Sequence, residues 1–517
     1  MANKLLRTAS FMAAATMLAK ICGMVRDMLI GAFFSTGIDA VAYMTASKLP
    51  TMLFDIVIGG VISAAFIPVF NSILEKKSKE EAMEFASRFI TVILIITSLI
   101  AVFGIVFSDQ LINFMAPEFN AETHARAAKL SCIMFPMIIF TGLAFSFVGI
   151  LQSFGEFNIP AIISLVSNAA IILYFVLFGK KFGVVGLSVT MLLAWSLQVI
   201  IQIPSLKKFR FRYRPSLKLW DENIKAALLL AGPMLVSTWV QPLYSIVNSR
   251  LASGIDNGSA VAVLEYANRL YVIVVGVFSF VVTNLIFPRM SRANAADDLS
   301  GAKEMTATSL RAITIVILPI MAGFIILARP IISILYSSFS EYEIQVTSNA
   351  LLCYSCGMIF LAFNEILSKS FFSMQNAKIP MITAIASMCA NILFAYILSS
   401  KLGSKGLALA TAGGSMVNAT LNFICINKVY KGLFKKSDII AVSKTILCAV
   451  IMAAAVYVCR GIVSGVTAES GILAKNIIIS VSCAFTGVVV YAAACLVIGV
   501  DDIKNILIPL FKRNQKK

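Results

Sequence analysis

The sequence predicts an all-α, polytopic membrane protein with about fourteen transmembrane helices, arranged as two parallel six-helix lobes plus two additional C-terminal helices. Three observations carry this reading. Charged residues make up only 13% of the chain and hydrophobic ones 59%, where soluble domains carry about 25% charged residues. Apolar runs of the roughly 20 residues needed to cross a hydrocarbon core recur from end to end. The chain also resembles itself at an offset of about 220 residues, the mark of a duplicated architecture.

In chain order the runs are 8–34, 39–67, 85–108, 128–151, 158–179, 183–204, 224–250, 260–287, 308–328, 346–369, 381–399, 405–427, 439–460 and 475–499. Charges interrupt the first two, at Lys20, Arg26 and Asp27 and at Lys48 and Asp55. The apolar N-terminal run continues past those charges into a second span, which argues against a cleavable signal.

The repeat becomes visible at the turns. Ser153-Phe-Gly-Glu-Phe-Asn-Ile-Pro160 resembles Ser373-Met-Gln-Asn-Ala-Lys-Ile-Pro380, and Phe182-Gly-Val-Val-Gly-Leu187 resembles Leu402-Gly-Ser-Lys-Gly-Leu407. Pro68 corresponds to Pro288, and Ala46-Ser-Lys-Leu49 to Ala267-Asn-Arg-Leu270. A unit of six spans is even, so both copies have the same orientation. Parallel repeats of this kind are a transporter architecture, with the substrate site expected between the halves. The expected divisions are an N-terminal lobe 1–204, a basic linker 205–222, a second lobe 223–428, and residues 429–517 with two further helices and a basic tail.

Loop charges orient the bundle. Lys76, Lys77 and Lys79, then Lys207, Lys208, Arg210, Arg212, Arg214 and Lys218, then Arg289, Arg292 and Lys303 follow even-numbered spans. Lys428, Lys431, Lys435 and Lys436 do the same, and Lys512, Arg513, Lys516 and Lys517 close the chain. The positive-inside rule therefore predicts both termini in the cytoplasm. A basic cytoplasmic face also favours contact with anionic headgroups of membrane lipids. The net charge of +18 does not indicate nucleic acid, because no basic stripe lies outside the membrane loops.

Four cations inside apolar spans are the strongest functional signal: Arg26, Lys48, Arg250 and Arg269. Each costs about 3 kcal/mol or more to place in a membrane span, so a set of them implies a hydrated cationic cavity. The repeat puts Lys48 opposite Arg269 in the second helix of each lobe, and Arg26 and Arg250 late in the first. Other partners are available. Asp27 can neutralise Arg26, Glu265 stands one turn before Arg269 in the favourable order, and Arg26 and Arg250 can reach the outer interface. A diphosphate suits arginine forks and lysine point charges. A cationic drug would need the opposite sign.

Catalytic and metal chemistry find little support. His124 is the single histidine, which leaves neither a histidine-rich metal site nor a Ser-His-Asp triad. Cys353 and Cys356 form a C-x-x-C inside a predicted helix, 351–369, and read as two small residues on one face rather than a redox or metal pair. No cofactor is expected.

The motifs together resemble the MurJ/MviN family of lipid II flippases in the multidrug/oligosaccharidyl-lipid/polysaccharide exporter superfamily. They are Gly23-Met-Val-Arg-Asp27, Asp39-Ala40, Lys48-Leu-Pro50, Ala65-Phe-Ile-Pro68, Asn248-Ser-Arg250, Tyr266-Ala-Asn-Arg-Leu270 and Phe287-Pro-Arg-Met-Ser291. The resemblance spans the whole chain. It implies a carrier, not an enzyme, alternating between inward-open and outward-open states in the bacterial cytoplasmic membrane. It implies a lipid-linked oligosaccharide diphosphate (lipid II) as substrate and cell-wall synthesis proteins as partners. It assigns substrate contact to Arg26, Asp27, Asp39, Lys48, Arg250 and Arg269, and a groove for the polyprenyl tail to the two added helices. The chain departs from the pattern at Phe54, Asp55, Gly59 and Val272, where many members carry other charges. Spans seven, eleven and twelve hold no Asp or Glu, so the sodium site of some relatives is not expected. The alternatives are a flippase for another undecaprenyl-diphosphate-linked glycan and a cation-coupled multidrug antiporter.

Overall fold

The computed structural model describes residues 2–58, 60–216, 224–225, 239–467 and 471–500. Residues 226–238 of the seventh expected span, the end of the expected linker and the basic tail fall outside these. The described chain forms two compact units, Met1–Ala262 and Val263–Lys517.

The first unit opens with α1 (Ala2–Phe34) and α2 (Ile38–Val57), followed by a π-turn at Ile62–Phe66 and the short α3 (Ile67–Lys76). Then come α4 (Lys79–Val106), α5 (Ser108–Met115), α6 (Ala121–Met134) and α7 (Met137–Ser153). The rest of this unit is α8 (Asn158–Leu177), α9 (Gly179–Ile200), α10 (Ile203–Lys208) and α11 (Val240–Ser253). Side-chain caps set two of the starts: Ser78 accepts from the Glu81 amide at 3.2 Å, and Asn120 from the Thr123 amide at 2.8 Å. Each satisfies an amide that the helix itself leaves unpaired. Helix α1 packs on α8, α2 on α6, and α4 on α7. The π-turn brings Phe66 against Phe89, with ring centroids 4.7 Å apart. It fits because residue 149 is glycine; a Cβ there would lie 2.9 Å from the Phe66 ring.

The second unit contains most of α12 (Ala260–Ala295), then α13 (Leu299–Leu335), α14 (Glu341–Ser355), α15 (Met358–Ser373), α16 (Lys378–Leu402) and α17 (Ser404–Val429). It ends with the long α18 (Lys436–Val466) and α19 (Ile472–Ile498). Ser340 and Glu343 form a reciprocal capping box at the start of α14. Asp298 caps α13, accepting from the Gly301 amide and the Ser300 hydroxyl, both at 2.8 Å. These donors hold its carboxyl below the usual carboxylate range. A depressed folded-state pKa means the cap acts above the ordinary carboxylate pKa and fails as pH falls through the lower one. Hydrogen exchange should therefore show the Gly301 amide protected at neutral pH and unprotected in strong acid, with no such pH dependence in Asp298→Asn.

Among the described residues, nine helices are long and apolar enough to cross a membrane, or up to eleven if each of two bent pairs counts as one span. Helices α1 and α2 stand outside that set; they carry Lys20, Arg26 and Asp27, and Asp39, Lys48 and Asp55. The bent pairs are α6–α7, at 41°, and α14–α15, at 44°. The second bend corrects the placement of the C-x-x-C motif. Cys353 is buried in the last turn of α14, and Cys356 is exposed at its C-cap, so the pair stands at a break rather than inside a straight helix. Gly357 permits the break, because a Cβ there would lie 2.8 Å from the Ala412 Cα on α17.

The backbone repeats at the offset seen in the sequence. Gly183 and Gly403 both adopt positive φ, +52° and +57°, with ψ of −146° and −133°. Only glycine enters that region cheaply, which explains why both copies keep it at the entry to the last helix of the repeat.

Helix α13 contains Pro319 and Pro330, and each removes a backbone N–H from the helical ladder. The carbonyls left without an intrahelical donor are those four residues earlier, Ile315 and Ile326. Both are taken up by the last two helices. The Tyr491 hydroxyl on α19 donates to the Ile315 carbonyl at 2.8 Å, and Arg460 Nη1 on α18 donates to the Ile326 carbonyl at 2.6 Å. Two apolar clusters flank these contacts. One holds Ile315, Cys448 and Cys495; the other holds Leu327, Met452, Val456, Ile479 and Cys483. At the α18 start, Arg311 Nη1 donates to Asp438 at 2.7 Å.

Candidate functional site

Helix α1 holds Arg26 about 12 Å from its Phe34 end, eight residues at 1.5 Å rise. Helix α2 packs beside it and holds Lys48 about 15 Å from its own Ile38 start. The turn Ser35–Gly37 joins these two ends, so both cations lie at similar depth in neighbouring antiparallel helices of the first unit. Both are partly buried. Pro50 lies two residues beyond Lys48, inside α2. The Thr51 hydroxyl donates to the Lys48 carbonyl at 2.8 Å and lies 3.2 Å from the Ser47 carbonyl.

Arg26 is held in place. Its Nε and Nη2 donate to one oxygen of Asp27, at 3.0 and 2.8 Å. Its Nη1 donates to Asn168 Oδ1 on α8 at 3.0 Å, and the same amide donates back to the Ala19 carbonyl at 3.1 Å. Asn168 thus clamps the guanidinium to α1 from the facing helix. With side chains 19% and 11% exposed, Arg26 and Asp27 form a largely desolvated pair, whose value depends on the hydrogen bonds around it.

The other residues of the first unit lie nearer its surface. Asp39, in the first turn of α2, pairs with Arg126 of α6, which also reaches Glu122 at 3.5 Å. Arg250 stands in the last turn of α11. Its Nη1 donates to the Phe114 carbonyl at 2.6 Å, and its guanidinium carbon lies 5.5 Å from the centre of the Phe114 ring. These contacts hold Arg250 against α5 at the end of its helix.

In the second unit, Arg269 lies about 14 Å into α12, a depth matching that of Lys48 in α2. Its Nη2 is 3.5 Å from Glu265 one turn earlier. The structure therefore gives acid partners to Arg26, Asp39's neighbour Arg126, and Arg269. Among the described residues no group of three or more His, Cys, Asp and Glu is placed to hold a metal ion. Two residues were not singled out in the sequence, Asn168 and Arg126. Asn168 lies one residue after Ser167, a position of the internal repeat, and an Asn within an apolar span was the available signal.

A family model described as "Lipid II flippase MurJ" matches residues 30–475. The chain belongs to the MurJ lipid II flippase family. It is accordingly a transporter rather than an enzyme. A probable lipid II flippase MurJ of Buchnera aphidicola (Schizaphis graminum) is 27% identical, the match covering 84% of this chain and 86% of the relative. The lipid II flippase MurJ of Burkholderia cenocepacia is 24% identical, covering 82% and 83%. A solved lipid II flippase MurJ in an inward closed conformation superposes with a TM-score of 0.81 at 25% identity, covering 95% of this chain and 99% of that one. An inward-facing MATE-family multidrug transporter of the MOP superfamily shares the fold, with a TM-score of 0.69 at 18% identity. MurJ membership and this shared fold place the chain in the MOP superfamily as a multi-pass membrane protein.

Proposed function

We propose that this chain carries lipid II, the undecaprenyl-diphosphate-linked peptidoglycan precursor, from the inner to the outer leaflet of the bacterial cytoplasmic membrane by alternating access. Family membership supports the substrate. The observation that carries the mechanism is the pair of cations at matched depth in α1 and α2, with Arg269 at the repeat-equivalent position in α12. Arg26, Asp27, Asp39, Lys48, Arg250 and Arg269 are assigned to the diphosphate and its sugar. Arg26 comes preset by Asn168 and Asp27, and an arriving phosphate oxygen competes with the Asp27 oxygen for the same N–H groups. Release outside requires lower affinity in the outward state, since a ligand shifts an equilibrium only through differential binding. Membrane potential biases any step that moves charge, by about 2.3 kcal/mol per charge per 100 mV. Both termini are assigned to the cytoplasm from the loop charges.

Purified protein in vesicles should expose labelled lipid II at the opposite leaflet faster than protein-free vesicles do, and the gene should support growth when an essential lipid II flippase is depleted. The second reading is a different undecaprenyl-diphosphate-linked glycan, favoured by the departures at Phe54, Asp55 and Val272. Flipping of such a glycan without flipping of lipid II or complementation would select it.

A further inference from the structure

Where α9 gives way to α10, a cleft of about 890 Å³ opens on the first unit. Its floor is apolar, made by Phe147, Leu206 and Phe211; its rim carries Lys207, Arg210 and Arg212. No carboxylate lines it, and no ion pair engages any of the three cations among the described residues. The residues from Gly179 to Lys208 are apolar and long enough to cross a membrane, so the cleft stands at the end of a span, where hydrocarbon gives way to headgroups.

The cleft is built rather than incidental. Helix α10 ends in a Schellman turn: the Arg210 amide donates to the Lys207 carbonyl at 2.9 Å and the Phe211 amide to the Leu206 carbonyl at 3.0 Å. The left-handed residue of that turn is Arg210, with φ of +64°. Glycine is the residue this position favours, and a side chain there is strained. An observed strain of this kind is grounds for a functional reading. The turn sends Phe211 inward, where it is buried and meets Phe147 edge-on at 6.4 Å. Tyr213 shares a hydrogen bond with the Thr91 hydroxyl at 3.0 Å, and the Arg214 amide reaches Ser87 Oγ at 3.4 Å, which ties the segment to α4.

We infer that this cleft binds the headgroup of an anionic phospholipid, its phosphate held by Lys207, Arg210 and Arg212 and the start of an acyl chain lying on Phe147 and the partly exposed Ile203. The inference is independent of the substrate reading above. A soluble phosphate would use the cations and leave the apolar floor wet; a zwitterionic lipid would use the floor and leave the cations unbalanced. Only a lipid with net negative charge uses both.

Native mass spectrometry of the full-length protein, released from micelles doped with phosphatidylglycerol, phosphatidylcholine or undecaprenyl diphosphate, tests this. Wild type should retain phosphatidylglycerol and not phosphatidylcholine. At about 1 kcal/mol per surface cation, Arg210→Gly should lower retention about fivefold, and Lys207→Gln, Arg210→Gly, Arg212→Gln together about a hundredfold. Arg210→Gly removes backbone strain, so its thermal stability should be equal or higher, and it should still flip lipid II. The inference is overturned if the triple variant keeps phosphatidylglycerol as wild type does. It is equally overturned if millimolar inorganic phosphate alone displaces the lipid, or if undecaprenyl diphosphate outcompetes it with the same dependence on the three cations.

Discussion

Vesicles carrying the Arg26→Ala, Arg269→Ala double variant should flip lipid II about 100-fold more slowly than wild type, or worse. Each guanidinium removed takes away charge-assisted hydrogen bonds worth about 1.5–3 kcal/mol each, and two such losses reach that range at 1.4 kcal/mol per decade. Arg26→Ala also leaves Asp27 buried without its guanidinium, which is a fold penalty rather than a transport one. Adding Asp27→Asn separates the two: it should recover thermal stability and not flipping. Arg26→Lys with Arg269→Lys should fall between, since lysine keeps the charge and loses the fork. Wild-type flipping by the alanine pair would defeat the assignment of these residues to the substrate.

The second large effect concerns stability. Tyr491→Phe should destabilise the second unit by about 1–3 kcal/mol, because the Ile315 carbonyl is then buried without a donor. Model membrane systems put single interhelical hydrogen bonds nearer 1 kcal/mol, so the lower half of that range is expected. The decisive comparison adds Pro319→Ala, which restores a helical N–H to that same carbonyl. In the Pro319→Ala background, Tyr491→Phe should cost nearly nothing. A double-mutant cycle in thermal unfolding reads this coupling directly. An equal cost in both backgrounds would show that the hydroxyl does something other than satisfy the proline's orphan.

The fold was legible where its causes are local. Apolar length marked α4, α8, α9 and α16 through α19, and the Gly-x-x-Gly-Leu turns marked the repeat because both copies need a backbone only glycine adopts cheaply. The 44° break at Cys356–Gly357 was not legible, because it depends on the close approach of α17. The ion pairs Arg26–Asp27 and Glu265–Arg269 could be read because their partners are sequence neighbours. Asn168 and Arg126 were missed for the opposite reason. Asn168 is 142 residues from Arg26 and Arg126 is 87 from Asp39, and nothing in spacing links residues that only packing brings together. Pro319 and Pro330 were in plain view, but which groups would meet their freed carbonyls depends on how α18 and α19 dock.

That docking limits how the protein can be re-engineered. A chimaera that grafts the last two helices onto a related bundle inherits their greasy faces at no cost, yet Tyr491 and Arg460 arrive as keys cut for two proline notches. A recipient whose counterpart of α13 runs unbroken would offer no vacant acceptor to either one, leaving a hydroxyl and a guanidinium stranded in hydrocarbon.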